Sequence, residues 1–261
     1  MGKLDGKTAI ITGGGTGIGE ITSLMFAADG AHVIVAGRRS KPIEETVAAI
    51  HRNGGSASSR SVDIESPSSV EAFTDWISNE YEAIDILVNN AGHSSKVRSL
   101  RFVSKDEWDS VINVNLTGVY MLCQAVLPGM IQRSEGTIIT VSSMAAIRPG
   151  LLGGAPYSAA KAGVLNLMGN INSEFGSMGI RACSILPAEV DTPIMANRPL
   201  PPGEKERSTM MGPSDIAEVL LLCATLPQRT VVEQVVLAPI VQRDVTADIE
   251  AARNVGSSNQ L

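Results

Sequence analysis

The glycine-rich stretch Thr12-Gly13-Gly14-Gly15-Thr16-Gly17-Ile18-Gly19 follows a short apolar run, Thr8-Ala9-Ile10-Ile11, and precedes a helical pattern of apolar residues at positions 21, 24, 25 and 28. This order predicts a strand, a glycine turn and a helix. Glycines let a backbone turn sharply and approach a pyrophosphate, and the free N–H groups at a helix start favour negative charge. A glycine turn can also simply connect a strand to a helix, so a nucleotide site needs further support.

The rest of the chain alternates between strands and helices. We expect strands at about 32–36, 57–62, 84–88, 137–141, 180–186 and 231–237, and helices near 42–52, 67–80, 106–132, 156–177 and 213–226. Alternation at this spacing implies right-handed crossovers and a parallel sheet that is covered on both faces. The predicted fold class is therefore α/β, a Rossmann-type doubly wound parallel sheet of about seven strands with helices on both faces.

Length and composition predict the domain organisation. A chain of 261 residues with 44% hydrophobic residues can bury a sizeable core, and no repeat or low-complexity linker divides it. We expect a single domain over residues 1–245. Residues 192–212 are rich in Pro, Met, Arg and Glu and lack periodicity, which predicts a substrate lid. The polar end, 246–261, is predicted to be a frayed tail or an arm on a neighbouring subunit.

The charge balance argues against several partners. A formal net charge of -6 provides no basic field to recruit nucleic acid or an anionic membrane. The first strand-like run is reached without a stretch of signal-peptide length, and no run has the roughly 20 apolar residues of a membrane span. We therefore expect a cytoplasmic protein. Cys123, Cys183 and Cys223 are far apart and, like the three His residues, lack metal-ligand spacing, which predicts reduced, mostly buried thiols and no metal site.

The end of the second predicted strand indicates which nucleotide binds. Dinucleotide folds often place an acid there for a ribose 2′-hydroxyl, whereas this chain has Gly37-Arg38-Arg39. Arginine accommodates a 2′-phosphate through charge-assisted hydrogen bonds, which predicts NADP(H), preferred over NAD(H). The alternative is that both arginines are the solvated start of the next helix.

The stretch Tyr157-Ser158-Ala159-Ala160-Lys161 contains the candidate acid/base. If Pro156 opens a helix, Tyr157 and Lys161 stand one turn apart on one face. A free phenol has a pKa of about 10, and a neighbouring ammonium in a water-poor pocket favours its anion, which makes Tyr157 a plausible general acid or base. The alternative is that Tyr157 packs, Lys161 is solvated and the spacing is accidental.

Two other polar sites, Asn115 and the pair Ser142-Ser143, are candidates for a functional role. Asn115 falls inside the long predicted helix, where asparagine is mildly unfavourable, so it is either a solvated surface position or a local break with a purpose. Ser142-Ser143 follows the fifth predicted strand, at the edge where open parallel sheets bind ligands.

Together these residues resemble the short-chain dehydrogenase/reductase family in its compact single-domain branch, over nearly the whole chain to about residue 240. The motifs occur in the family's order: Thr12-Gly13-x-x-x-Gly17-Ile18-Gly19, Asp63, Asn89-Asn90-Ala91-Gly92, Asn115, Ser143, Tyr157-x-x-x-Lys161 and Pro187-x-x-Val190-x-Thr192. The resemblance implies an NAD(P)-dependent enzyme that acts on CH–OH groups.

The resemblance also implies a role for each motif. Tyr157 would donate or accept the proton, Ser143 would polarise the substrate oxygen, and Lys161 would perturb Tyr157 and bind the nicotinamide ribose. Asn115 would hold a water that relays protons from Lys161. The implied cofactor-binding residues are Gly13, Gly15, Thr16, Gly17, Ile18, Gly19, Arg38, Arg39, Asp63, Ile64, Asn89, Ala91, Gly92, Tyr157, Lys161, Pro187, Val190 and Thr192.

The implied reaction interconverts a secondary alcohol, such as a hydroxy acid or similar small alcohol, and its ketone. Hydride would pass from NADPH to the carbonyl carbon while Tyr157 protonates the oxygen. A non-catalytic NADP(H)-binding redox sensor or regulator is the alternative, which loss of Tyr157 or Lys161 would have favoured. A nucleotide-sugar epimerase or dehydratase is a third interpretation, against which the spacing of Gly13 and Gly17 counts. Family members are often tetramers or dimers, so a homo-oligomer is expected.

Two features stay open. Pro187-Ala188-Glu189 replaces the family's usual Pro-Gly, and Glu189 either shapes substrate choice or, as is commoner, faces solvent. One set of apolar residues would form either subunit contacts or core: Leu116, Val119, Tyr120, Leu122, Val126, Leu165, Met168 and Ile171.

Overall fold

A single parallel sheet lies at the centre of the computed structural model, which describes residues 2–257. Its seven strands lie in the order β3-β2-β1-β4-β5-β6-β7, and Ile10 of β1 is aligned with Ile34 of β2 and Leu87 of β4. The strands are β1 Thr8–Thr12, β2 His32–Gly37, β3 Ser56–Ser61, β4 Ile86–Asn89, β5 Gly136–Val141, β6 Ile180–Pro187 and β7 Gln234–Leu237. The predicted doubly wound sheet is confirmed.

Helices connect the strands and cover both faces of the sheet. They are α1 Gly17–Ala28, α2 Ser40–Arg52, α3 Pro67–Glu80, α4 Lys105–Ile112, α5 Gly118–Arg133, α6 Ala155–Phe175, α7 Glu204–Arg207, α8 Pro213–Thr225 and α9 Thr246–Arg253. Most predicted bounds lie within three residues of the observed ones. The last strand starts at Gln234 rather than 231 because its register with β6 begins at Ser184.

The period of two in the strands explains the two core layers. In β1, Ile11 faces one layer with α1, α2 and α8, whereas Ile10 faces the other with α3, α5 and α6. Because both faces of each central strand are buried, the strands read as continuous apolar runs. The layers leave the carboxyl ends of the strands accessible, which is where an open parallel sheet binds ligands.

The long predicted helix is interrupted in its middle. Between α4 and α5, residues Asn113–Thr117 form a π-helical turn. By length and composition alone the combined segment Lys105–Arg133 could cross a membrane, but 44% of its most apolar window is buried inside the fold. Leu122 and Val126 belong to the core, and a core helix can be as long and as apolar as a membrane span.

The C-terminal end differs from the expectation of a frayed tail. Residues Thr246–Arg253 form α9, in which Asp248 and Ala252 are buried. The helix packs on its own chain, because Ala252 is buried and Asp248 Oδ1 lies 3.7 Å from Arg198 Nη1. Residues 258–261 of the predicted tail lie outside the described part of the chain.

Most of the apolar residues that could have formed subunit contacts are core. Buried in one layer are Val119, Leu122, Val126, Met168 and Ile171. Tyr120, by contrast, is exposed.

Candidate active site

Tyr157 and Lys161 meet on one face of α6, as the spacing predicts. Lys161 Nζ lies 5.5 Å from the centroid of the Tyr157 ring. Lys161 is buried and donates to the Val141 carbonyl at the end of β5, at 2.8 Å. The alternative of a solvated lysine is therefore wrong. Ser143 follows β5 directly, and its hydroxyl accepts from the Ala145 backbone N–H at 3.1 Å.

Burial dominates the electrostatics of this pair. It lowers the pKa of the Lys161 ammonium to about 8. Burial also raises the pKa of the Tyr157 phenol, and a hydrogen bond with Ser143 and the charges of Arg98 and Arg198 only partly oppose it. The net effect places the pKa of Tyr157 above its ordinary value, and Lys161 is not among the groups that oppose burial here. The phenol keeps its proton at neutral pH.

Asn115 lies in the π-helical turn and is fully buried. Its Nδ2 donates to the carbonyls of His93 at 2.8 Å and Val111 at 2.9 Å. Its Oδ1 has no partner among residues 2–257, and it lies beside Gly92, where an added Cβ would be 2.7 Å from it and 3.5 Å from Lys161 Nζ. Of the two alternatives for Asn115, the local break is correct and the solvated surface position is wrong.

The glycine turn brings backbone to the edge of the sheet. Gly13 and Gly17 have φ values of +65° and +58°, which side chains of L residues rarely allow. A Cβ at Gly15 would meet Pro42 at 2.8 Å and Ile43 at 2.9 Å. This turn, which opens α1, fits the close approach of a pyrophosphate. Gly19 lies behind it, because its Cβ would meet the Gly13 carbonyl at 2.3 Å.

A cavity of about 350 Å³, called here the Tyr157 cavity, adjoins the glycine turn. It is lined by many of the predicted residues: Gly13, Thr16, Gly17, Ile18, Ala91, Gly92, Ser143, Tyr157, Lys161, Pro187, Val190 and Thr192. These residues come from the ends of β1, β4, β5 and β6 and from the start of α6. The chain order therefore brings them together at one edge of the sheet.

A second cavity of about 340 Å³, called here the Arg38 cavity, lies at the end of β2. It is lined by Gly15, Arg38, Arg39, Asp63 and Ile64, among other residues, and it shares Gly13, Thr16, Ala91 and Gly92 with the Tyr157 cavity. Both arginine side chains are exposed, and neither makes an ion pair within residues 2–257. The two cavities together fit an extended dinucleotide.

Besides Gly19, one further predicted cofactor-binding residue, Asn89, lines neither cavity. Asn89 is buried, and its amide points along the sheet to Thr140 Oγ1 at 3.3 Å and Cys123 Sγ at 3.5 Å. Its neighbour Asn90 lines the Tyr157 cavity instead and donates to the Thr12 carbonyl at 2.9 Å. Asn89 is the last residue of β4 and Asn90 follows the strand, and the two successive side chains point to different sides.

The structure also places residues in the Tyr157 cavity that no motif indicated. Among them are the three arginines Arg98, Arg148 and Arg198, together with Ser94. Glu189 lines the cavity as well, but it does not face solvent. Arg243 Nη2 donates to Glu189 Oε1 at 2.8 Å, and Arg198 donates to the same oxygen at 2.5 Å. The interpretation of Glu189 as a solvent-facing residue is therefore wrong.

Comparison with known proteins agrees with this geometry. A family model described as short chain dehydrogenase matches residues 7–201. The uncharacterised oxidoreductase YxbG of Bacillus subtilis is 40% identical over 195 residues, 75% of this chain and 71% of that protein. The 3-oxoacyl-(acyl-carrier-protein) reductase of Thermotoga maritima is 32% identical over 243 residues, 90% of this chain and 96% of that protein.

A solved structure shares the fold over most of this chain and over the whole of its own. It is a metagenomic short-chain oxidoreductase in complex with NADP, which has a TM-score of 0.79 and 30% identity and covers 92% of this chain and 100% of its own. The family model matches the sequence over residues 7–201, and the solved structure matches the fold over 92% of the chain. This chain belongs to the short-chain dehydrogenase family and is an oxidoreductase.

Proposed function

We propose that the protein is an NADP(H)-dependent oxidoreductase that interconverts a secondary alcohol, a hydroxy acid or similar small alcohol, and its ketone. Tyr157 acts as the general acid and base. The observation that carries the proposal is the meeting of Tyr157, Lys161 and Ser143 in a cavity that adjoins the glycine turn.

The chemistry of the residues supports this direction. A bound nicotinamide would supply or accept the hydride. Tyr157 holds a proton at neutral pH because burial raises the pKa of its phenol, so it can protonate the oxygen of a ketone. The Ser143 hydroxyl, close enough to hydrogen-bond with Tyr157, would orient that oxygen. Asn115 Oδ1, without a partner in residues 2–257, would hold the water of a proton relay from Lys161.

The lid remains part of the proposal. A bridge between Val190 and Met211 closes the segment at its base, and the segment contains the short helix Pro193–Asn197 and α7. Thr192, Ile194 and Arg198 line the Tyr157 cavity. We propose that residues 192–212 cover the substrate and that residues 1–245 act as one domain.

The preference for NADP(H) over NAD(H) rests on Arg38 and Arg39, which line the Arg38 cavity without ion pairs within residues 2–257. We further propose a cytoplasmic homo-oligomer, a dimer or tetramer. The buried free thiols Cys123, Cys183 and Cys223 suit a reducing compartment, and exposed Val236 and Ile240 suit a subunit contact. Light scattering that gave the mass of a monomer would contradict the oligomer.

The experiment is a panel of ketones, 3-oxo acids and aldehydes tested for oxidation of NADPH and, in parallel, NADH. We expect turnover with NADPH. The variant Tyr157→Phe should reduce turnover by about 100-fold or more, because the general acid is lost, while binding of NADPH stays within about threefold. Full activity in Tyr157→Phe would contradict the mechanism. Tight NADPH binding without turnover of any carbonyl would instead favour the redox sensor.

A further inference from the structure

Arg98 is a buried guanidinium on the wall of the Tyr157 cavity. It lies in the loop between β4 and α4, and only 3% of its surface is exposed. Nη1 donates to the Gly153 carbonyl at 2.6 Å, and Nη2 donates to Ser94 Oγ at 3.2 Å. Nε is buried without a hydrogen-bond partner among residues 2–257. Of the five N–H donors of an arginine, two therefore have protein acceptors in the described chain.

No carboxylate of the described chain pairs with Arg98. The charge of Glu107 acts on Arg98, but the Oε1 of Glu107 accepts hydrogen bonds from the Val97 backbone N–H at 3.2 Å and from Ser95 Oγ. Glu189 shares the cavity wall, yet Arg198 and Arg243 hold it.

The charges around Glu189 balance without Arg98. Two carboxylates, Glu189 and Asp248, face two guanidiniums, Arg198 and Arg243. Arg98 is left as a buried positive charge within a protein of net charge -6. A buried charge without a partner is expensive, and burial lowers the pKa of Arg98 to about 10.

Backbone contacts fix Arg98 beside the start of α6, the helix that carries Tyr157. The Ala155 N–H at the start of α6 donates to the Arg98 carbonyl at 3.2 Å. Gly154 has a φ of +84°, and a Cβ there would meet Arg98 Cδ at 2.9 Å. Tyr157 stands two residues after Ala155, and the charge of Arg98 acts on its phenol. Arg98 and Tyr157 line the same cavity, so a group bound to Arg98 would share that cavity with the oxygen that Tyr157 would protonate.

We propose that Arg98 recognises a carboxylate on the substrate, so that the enzyme acts on an oxo acid and the corresponding hydroxy acid. The planar guanidinium matches a carboxylate through paired N–H donors, and the enclosed site strengthens their attraction. Arg98 is then a specificity-determining residue. This inference rests on the proposed function, which assigns Tyr157 the reacting oxygen.

The test compares each acid with its neutral amide. The substrates are pyruvate and pyruvamide, acetoacetate and acetoacetamide, and 4-oxopentanoate and 4-oxopentanamide, each with saturating NADPH. We expect the best acid to exceed its amide by about 100-fold in kcat/KM, as hydrogen bonds to a charged group allow. Arg98→Met should bring this ratio within about threefold, and Arg98→Lys should leave an intermediate ratio. Because the ratio is taken within one variant, a loss of folded protein cancels.

Arg101→Met is the matched control. Arg101 is an exposed arginine of the same loop, stacked 4.9 Å over the Phe102 ring and outside the cavity wall. It should keep the wild-type ratio. A wild type without preference for acids, a preference that survives Arg98→Met, or an equal loss in Arg101→Met would overturn the proposal.

Calorimetry separates this inference from the proposed function. The same acids and amides are titrated into the protein with saturating NADP⁺, where an oxo compound cannot react. Binding of an acid but not its amide, lost in Arg98→Met, supports the carboxylate site even if nothing is turned over, in which case only the proposed function fails. Equal binding of acid and amide, or no binding of either, overturns the site.

Discussion

Lys161 is a buried ammonium whose hydrogen bond in the described chain goes to a carbonyl, that of Val141 at 2.8 Å. No carboxylate of residues 2–257 pairs with it, so desolvation lowers its pKa from 10.5 to about 8. At neutral pH the amine is still mostly charged, and the folded state bears the cost. A strongly perturbed pKa of this kind is typical of a functional site.

This cost predicts a pH dependence of stability. Between pH 8 and pH 10.5 the unfolded chain binds a proton at Lys161 that the folded chain does not, so stability rises with pH over this window. Lys161→Met removes the group. Relative to this variant, the wild type should gain about 3 kcal/mol in free energy of unfolding from pH 7 to pH 11. Urea denaturation of both proteins across this range measures the gain.

An exposed lysine provides the control. Lys205→Met, at a solvent-exposed position of α7, should change with pH as the wild type does. If the wild type and Lys161→Met run parallel from pH 7 to pH 11, the ammonium is not desolvated as the structure has it.

The sequence predicts the placement of some functional residues and not of others. The Tyr157 to Lys161 spacing is local to one helix, so its shared face could be predicted. Arg98 lies 59 positions from Tyr157 in the chain and belongs to no motif, and only the packing of its loop against Gly153 and Gly154 places it in the cavity.

At the scale of elements, the π-helical turn Asn113–Thr117 explains the unusual position of Asn115. The wider turn disturbs the regular ladder, and the Asn115 amide donates to the Val111 and His93 carbonyls. A helical pattern in the sequence cannot distinguish such a turn from a regular helix, because the turn spans only five residues. The asparagine inside the helix was the single indication.

The junction of β2 and α2 predicts cofactor selectivity. Arg38 and Arg39 are exposed at the end of β2 and line the Arg38 cavity. In the variant Arg38→Ala/Arg39→Ala, we expect the KM for NADPH to rise about 100-fold, since charge-assisted hydrogen bonds to a phosphate are lost. The KM for NADH should change less than about threefold. Steady-state kinetics with each cofactor measures both.

Lys41→Ala is the matched control for this junction. Lys41 stands in the first turn of α2, is 87% exposed and lies 3.8 Å from Glu45. It should leave both KM values unchanged. Equal losses for NADPH and NADH in the double arginine variant would show that the arginines do not select the 2′-phosphate.

At the scale of the whole molecule, one buried ion-pair cluster joins parts distant in sequence. Glu189 follows β6, Arg198 ends the short helix of the lid, Arg243 follows β7 and Asp248 lies in α9. Burial acts to raise the pKa of Glu189, but the hydrogen bonds of Arg243 and Arg198 outweigh it and hold the pKa below its usual value. The cluster ties the C-terminal helix to the wall of the Tyr157 cavity.

Breaking the cluster should destabilise the fold. Arg243→Met leaves the buried carboxylate of Asp248 and the mostly buried one of Glu189 with Arg198 alone, and we expect the free energy of unfolding at pH 7 to fall by about 3 kcal/mol. Because the folded pKa of Glu189 is depressed, this difference is full above about pH 4.5 and shrinks as the pH falls through the lowered pKa. Urea denaturation at pH 7 and at pH 4 measures both values.

Arg253→Met in the same helix serves for comparison. Arg253 is 56% exposed and pairs with Glu250 at 3.2 Å, so its loss should cost at most about 0.5 kcal/mol. If Arg243→Met costs no more than Arg253→Met, the cluster does not hold α9 in place.

The sequence by itself determined the sheet, its helices and the residues at the carboxyl ends of the strands. Each of these depends on local periods and on short spacings, such as the glycine turn and the Tyr157 to Lys161 turn, which a chain shows without being folded. Tertiary structure alone decided the charge environment. It turned Glu189 inward, docked α9, buried Asn89 away from the cavity and left Arg98 without a carboxylate. Charges and their desolvation depend on which distant segments meet, and that is settled only when the chain packs.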